Sequence, residues 1–299
     1  MPSTHHTAIG LSSAPSVTIL VALVLMSLLY VRSWLRMQRA SPSAIPGWRL
    51  ASFFFGMSLV WGALGSPLIA YDHDLLTVHM IQHLLLMTFA PALILLGEPL
   101  LAFWHGLPRF GKIVLGPLFR RPLVQRCTHK LSEPALCWSV SAMTLVGWHV
   151  PALFTLGMRS EVWHSFEQAS FLGAGLLFWW PVVQPWPCVS VGPQWSTLLY
   201  LFLATLPCDI LSGFLVFSDR VVYPAYFSMP RHFGISVLGD QQCAAALMWT
   251  SVTLAYLVPA AILSTRLLSP RSFHNGGLLR SELRADTVAH RDPQTSEVV

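Results

Sequence analysis

Apolar residues gather along the chain in blocks close to 20 long, separated by short polar stretches rich in Arg, Pro and His. A helix of about that length crosses the ~30 Å hydrocarbon core of a bilayer. Seven such spans can be drawn, roughly Val17–Leu35, Leu50–Ala70, Val78–Phe103, Pro134–Leu156, His164–Val183, Trp195–Phe217 and Gln241–Ser264. Tyr71, Trp104 and Trp195 fall at block ends, where interfacial rings anchor a span. The pattern predicts an all-α, polytopic membrane helical bundle of seven transmembrane helices over residues 17–268. An N-terminal tail over 1–16 precedes it, and a polar C-terminal tail over 269–299, without apolar periodicity, is expected to be disordered.

Composition sharpens this picture. Of 299 residues 54 % are hydrophobic and only 10 % charged, against about 25 % charged in an ordinary soluble domain. The net charge of +5 does not signal nucleic acid, because the basic residues sit in loops beside the spans. Fifteen of the 18 Lys and Arg fall in the last turn of span one or between spans one and two, between spans three and four, or after span seven; Arg159, Arg220 and Arg231 fall on the opposite side. Positive charge stays inside, so the N-terminus is expected outside and the C-terminus in the cytoplasm. The five cysteines form no CxxC pair, which argues against a zinc ribbon or a disulfide framework. No charged segment precedes the first apolar block, which reads as a retained span.

With this topology, His73, His79, His83, His149, His164 and His232 all fall at or near the outer face. His79 and His83 begin span three and, at i and i+4, share one helix face. His149 closes span four, and a short loop leads to His164, with Glu167 three residues on and on the same face. Four imidazoles from three helices at one depth are costly in hydrocarbon unless a shared partner gathers them. Asp72 precedes span three and Asp240 opens span seven, where it either caps that helix or supports a ligand imidazole. The candidate metal-binding set is therefore His79, His83, His149, His164, Glu167, Asp72 and Asp240. Asp209, deeper in span six beside Cys208, is a further carboxylate in want of a partner.

His79-Met80-Ile81-Gln82-His83 has the histidine spacing of a zinc protease helix, but Met80 stands where that chemistry needs a Glu base. Met80, Met87, Met158, Met229 and Met248 fall near this surface, each better read as core packing, and imidazoles with thioethers nearby on the oxidising side favour copper and leave zinc or haem open. Three readings follow: a copper-handling protein that is not an enzyme, a membrane-embedded zinc hydrolase similar to the seven-span ceramidase-like enzymes, and a bis-His haem protein.

At these residues the chain resembles a known family. His79-Met80-Ile81-Gln82-His83, Ala90-Pro91 and Gly97-Glu98-Pro99, then Trp148-His149-Val150-Pro151, His164 to Glu167 with Trp179-Trp180-Pro181, Tyr223-Pro224-Ala225-Tyr226 and Asp240-Gln241-Gln242 follow in the order of the CtaG family. These are polytopic bacterial cytochrome c oxidase assembly factors, and the resemblance covers roughly residues 50–265. Gln168 departs from it, standing where the pattern often continues from Glu to His. The resemblance implies a multi-pass protein of the bacterial inner membrane that serves assembly or stability of a haem–copper oxidase. Oxidase subunits and membrane lipid would be its partners, and copper its cargo.

Overall fold

A computed structural model describes residues 13–40, 46–67, 71–108, 121–184, 193–230 and 234–268, with five further positions between 110 and 117. The N-terminal residues 1–12 with His5 and His6, the tail 269–299, Cys188, Arg231, His232 and much of the basic stretch from Arg109 to Arg120 lie outside the described residues.

Among the described residues the chain is all-helical, without strands. In chain order the helices are α1 (Ser13–Ala40), α2 (Gly47–Leu64), α3 (Leu76–Leu96), α4 (Pro99–Gly106), α5 (Pro122–Leu131), α6 (Pro134–His149), α7 (Pro151–Arg159), α8 (Glu161–Val183), α9 (Gln194–Val216) and α10 (Val237–Leu268). α4 to α7 each open on proline, whose missing N–H is harmless at a first helical position. Four helices are long and apolar enough to cross a membrane: α1, α3, α9 and α10. The pair α6–α7 makes a fifth if counted as one broken span. α2 falls short, with Arg49 in its first turn, as does α8, whose first half carries Glu161, His164, Glu167 and Gln168.

The structure corrects two predicted spans. The third ends at Leu96, not Phe103: Glu98 takes a left-handed conformation (φ 49°, ψ 54°) and Pro99 starts a new helix. Two contacts hold this corner. Arg49 of α2 pairs with the Glu98 carboxylate, and the Tyr30 hydroxyl of α1 donates to the Gly97 carbonyl at 2.6 Å. The fourth predicted span breaks at Val150, where α6 and α7 diverge by 74°. Pro151 drives the preceding residue out of the helical region, and Val150 is extended (φ −65°, ψ 124°).

The burial pattern puts apolar side chains outside and polar ones inside. Large apolar side chains such as Met143, Phe202, Ile210, Phe214 and Leu254 face outward, while Asp72, His79, Gln82, His83, Glu167 and Gln241 are buried. The central helix is α3, 61 % buried against 11 % for α1, and it packs on α2, α8 and α10. Its middle widens at Leu85–Phe89, where the Ala90 N–H reaches back five residues to the Leu85 carbonyl. Pro91 explains the change of register: it has no N–H to give the Met87 carbonyl, so regular bonding cannot pass through this turn. α8 closes on the widened turn at Gly175, where a side chain would overlap the Met87 carbonyl and Pro91.

The start of α3 is capped from the far end of the sequence. The Asp240 carboxylate of α10 accepts from the Leu76 N–H at 2.7 Å, the Thr77 N–H at 3.1 Å and the Thr77 hydroxyl at 2.5 Å. Asp240 thus caps a helix, but not its own: it neutralises the free donors of the helix that carries His79 and His83. Replacing Asp240 with Ala should destabilise the protein by about 2 kcal/mol, seen as a lower melting temperature in detergent, with Asn restoring part of the loss; an unchanged melting temperature in the Ala variant would contradict the cap. Gly175→Val should cost about 1–3 kcal/mol through overpacking, and normal thermal stability of that variant would show that α8 can seat without the glycine.

Candidate metal centre

The first two turns of α3 present His79, Gln82 and His83 inward, all buried. Helical spacing puts the Nε2 atoms of His79 and His83 2.7 Å apart. α8 brings Glu167 against this pair, its Oε1 3.2 Å from His83 Nε2 and 3.6 Å from His79 Nε2. Its other oxygen lies 3.5 Å from Nδ1 of His164, one turn earlier on the same helix. Room for that carboxylate comes from Gly157 of α7, where a Cβ would stand 2.7 Å from Glu167 Oε2. Phe171 packs on the His83 ring and Phe154 on the His79 ring, with centroids 4.1 and 5.1 Å away.

A second group adjoins the first. The turn before α3 places Asp72 with one oxygen 3.3 Å from His164 Nε2 and the other 3.7 Å from His73 Nε2. Burial raises the Asp72 carboxyl, but the hydrogen bond from His164 and the charge of the nearby imidazoles prevail and hold it below the ordinary carboxylate range. Gln82 donates to Asp72 at 3.4 Å and to the Ala63 carbonyl at 3.2 Å, tying α3 to this turn and to α2. The loop between α9 and α10 adds two phenols, Tyr226 donating to the Asp72 carbonyl at 3.2 Å and Tyr223 to the His149 carbonyl at 3.1 Å. Burial raises the pKa of both phenols, which stay protonated donors.

The predicted residues are thus divided. His79, His83 and Glu167 form one cluster and Asp72 with His164 the core of the other, the ligand atoms of each group lying within 4.8 Å of one another. His149 stands apart from both: its Nδ1 donates to the Leu145 carbonyl at 2.7 Å, and it lines with His83 a cavity of about 40 Å³ that also meets Met80, Met87 and Met248. Asp240 is engaged at the start of α3, and Asp209 is half-buried on α9, outside both groups. The candidate set drawn from the sequence omits His73 and Gly157. His73 was signalled by its place between Asp72 and Asp74; Gly157 carries no local signal. Gln168, where the sequence departs from the CtaG pattern, lies at the site, its amide nitrogen 2.8 Å from His164 Nε2.

This donor set fits a metal ion. Two imidazole Nε2 atoms and a carboxylate oxygen converge in a buried interior. Such nitrogens and oxygens suit Cu(II) or Zn(II).

Fold and site together define an all-helical protein with membrane-compatible helices and a buried imidazole–carboxylate cluster at one end of its bundle. Its sequence matches the family model for the cytochrome c oxidase caa3 assembly factor (Caa3_CtaG) over residues 28–269, and the chain belongs to that family. It is 25 % identical over 230 residues to uncharacterized proteins of Mycobacterium bovis and Mycobacterium tuberculosis, covering 74 % of this chain and 34 % of theirs. An uncharacterized protein of Mycobacterium leprae is 22 % identical over 241 residues, 77 % of this chain and 35 % of that one. The chain therefore spans about a third of the length of these relatives. No solved structure matches it.

Glu167 is the common partner of three buried imidazoles, so Glu167→Ala should destabilise the protein by about 3 kcal/mol or more, and Glu167→Gln, which keeps the shape and one acceptor, by less. Equal thermal stability of wild type and the Ala variant in detergent would show that the imidazoles do not depend on the carboxylate.

Proposed function

We propose that this protein is a seven-span factor for assembly or stability of cytochrome c oxidase that holds a copper ion at His79, His83 and Glu167 and delivers it to an oxidase subunit. The convergence of those three side chains in a dry bundle, in a chain of this family, is the observation that carries the reading. His164 and Asp72 support the cluster from the side; the reading calls for no catalytic turnover.

The seven spans are α1, α2, α3, the bent pair α6–α7, α8, α9 and α10. In this reading α2 and α8, the less apolar two, cross beside α3, which shields their polar residues from lipid. The excess of basic residues after α1, before α6 and after α10 puts those ends in the cytoplasm. The start of α3, with the cluster, then faces the outside of a bacterial inner membrane, the side on which the soluble copper centre of an oxidase lies. When bound, copper draws its charge compensation from Glu167, while the two imidazoles bind as neutral ligands. Phe154 and Phe171 beside the rings exclude water from them.

Metal analysis of the detergent-purified protein beside a His79→Ala, His83→Ala double variant tests this. Copper in the wild type and none at the cluster in the variant, with both inserted in the membrane, is expected. Equal copper in the two, or zinc in its place, would overturn the assignment.

A further inference from the structure

Among the described residues, the potential ligands form two groups, and the second reaches the surface. Asp72 is 1 % exposed, yet its Oδ1 has no hydrogen-bond partner. A buried carboxylate oxygen without a donor costs free energy and calls for an explanation. His73 and His164 flank this carboxylate through their Nε2 atoms, at 3.7 and 3.3 Å, one on each oxygen. Two imidazoles and a carboxylate make the same kind of donor set as the deeper cluster.

The second group is the more exposed: the His73 side chain is 45 % exposed and His164 11 %, against 6 % for His83 and 1 % for His79. His164 is the link. Its Nε2 faces Asp72 and its Nδ1 faces Glu167, with its ring centroid 5.2 Å from that of His73 and 5.7 Å from that of His79. The Gln168 amide competes for His164 Nε2, a neutral contact that an arriving cation can displace.

We propose that Asp72, His73 and His164 form an entry site that takes copper from the aqueous side and passes it through His164 to His79, His83 and Glu167. This rests on the reading of the deeper cluster as a copper site. Transfer is ligand exchange without change of oxidation state: bonds to His73 and Asp72 break first and the bond to His164 last, as bonds to Glu167, His79 and His83 form. The His73 side chain, which makes the first contact, sits in a turn and holds no part of the bundle together, so its removal leaves the fold intact.

The test uses the full chain in detergent, stripped with a chelator and loaded with Cu(II) sulfate in the presence of glycine to suppress weak sites. Bound copper is counted after desalting, the EPR spectrum is recorded, and loading is followed by stopped flow. The wild type should hold two ions close enough to broaden each other's EPR signal. His73→Ala should hold one, with a sharp signal, and fill about tenfold more slowly, the scale of effect seen when a positioning group at a metal site is lost. Asp72→Asn should do the same, and His83→Ala should keep only the fast-filling ion. Two ions in His73→Ala, or loading as fast as wild type, overturns the proposal. One ion in the wild type and none in His83→Ala removes the entry site and leaves the copper assignment standing. A wild type that binds no copper removes both.

Discussion

A carboxylate in an apolar bundle needs positive or hydrogen-donating neighbours on every side, and Glu167 sets that demand here. His79, His83 and His164 surround it, and their positions fix how α3 and α8 lie against each other. The rest of the packing is arranged so that these helices can come close. Gly175 lets α8 approach the widened turn of α3, and Gly157 leaves space where the carboxylate turns. The Ser141 hydroxyl of α6 donates to the Ala174 carbonyl, and the Trp148 indole donates to Ser170, holding α6 to the other side of α8. The polar cluster is therefore a structural centre as well as a chemical one, and its cost in apolar surroundings is offset only when all members are present.

Much of this was legible in the sequence because helical geometry is local. Spacings of four and three residues put His79 with His83 and His164 with Glu167 whatever the fold does elsewhere. The apolar blocks likewise gave the course of α1, α9 and α10 to within a few residues. Two of the misses, at Glu98 and Asp240, arise from contacts between distant parts of the chain. Nothing near Glu98 announces a left-handed residue; Arg49 and the Tyr30 hydroxyl, from two other helices, stabilise that corner. The bend at Val150 had a local sign in Pro151, overridden in the prediction by the apolar run through it. Asp240 was read as a cap of its own helix or as support for an imidazole; the helix it caps instead begins 164 residues earlier. His73 was placed at the outer face but left out of the candidate set, although it stands between Asp72 and Asp74.

The departure at Gln168 gains meaning from its place. An amide there satisfies His164 with a neutral contact where the CtaG pattern often supplies a third kind of group, an imidazole. Gln168 lies within reach of His164 rather than at the deeper cluster of His79, His83 and Glu167.

The cap that α10 places on α3 also bears on how the protein is made. Leu76 and Thr77 leave the ribosome long before Asp240 does, so for most of synthesis the helix bearing His79 and His83 has its first amides unanswered. The loop that supplies Tyr223 and Tyr226 arrives equally late. A nascent chain therefore carries the imidazoles without the frame that aims them, and it gains that frame only when its last helix is in place. The arrangement of these side chains therefore waits on α10.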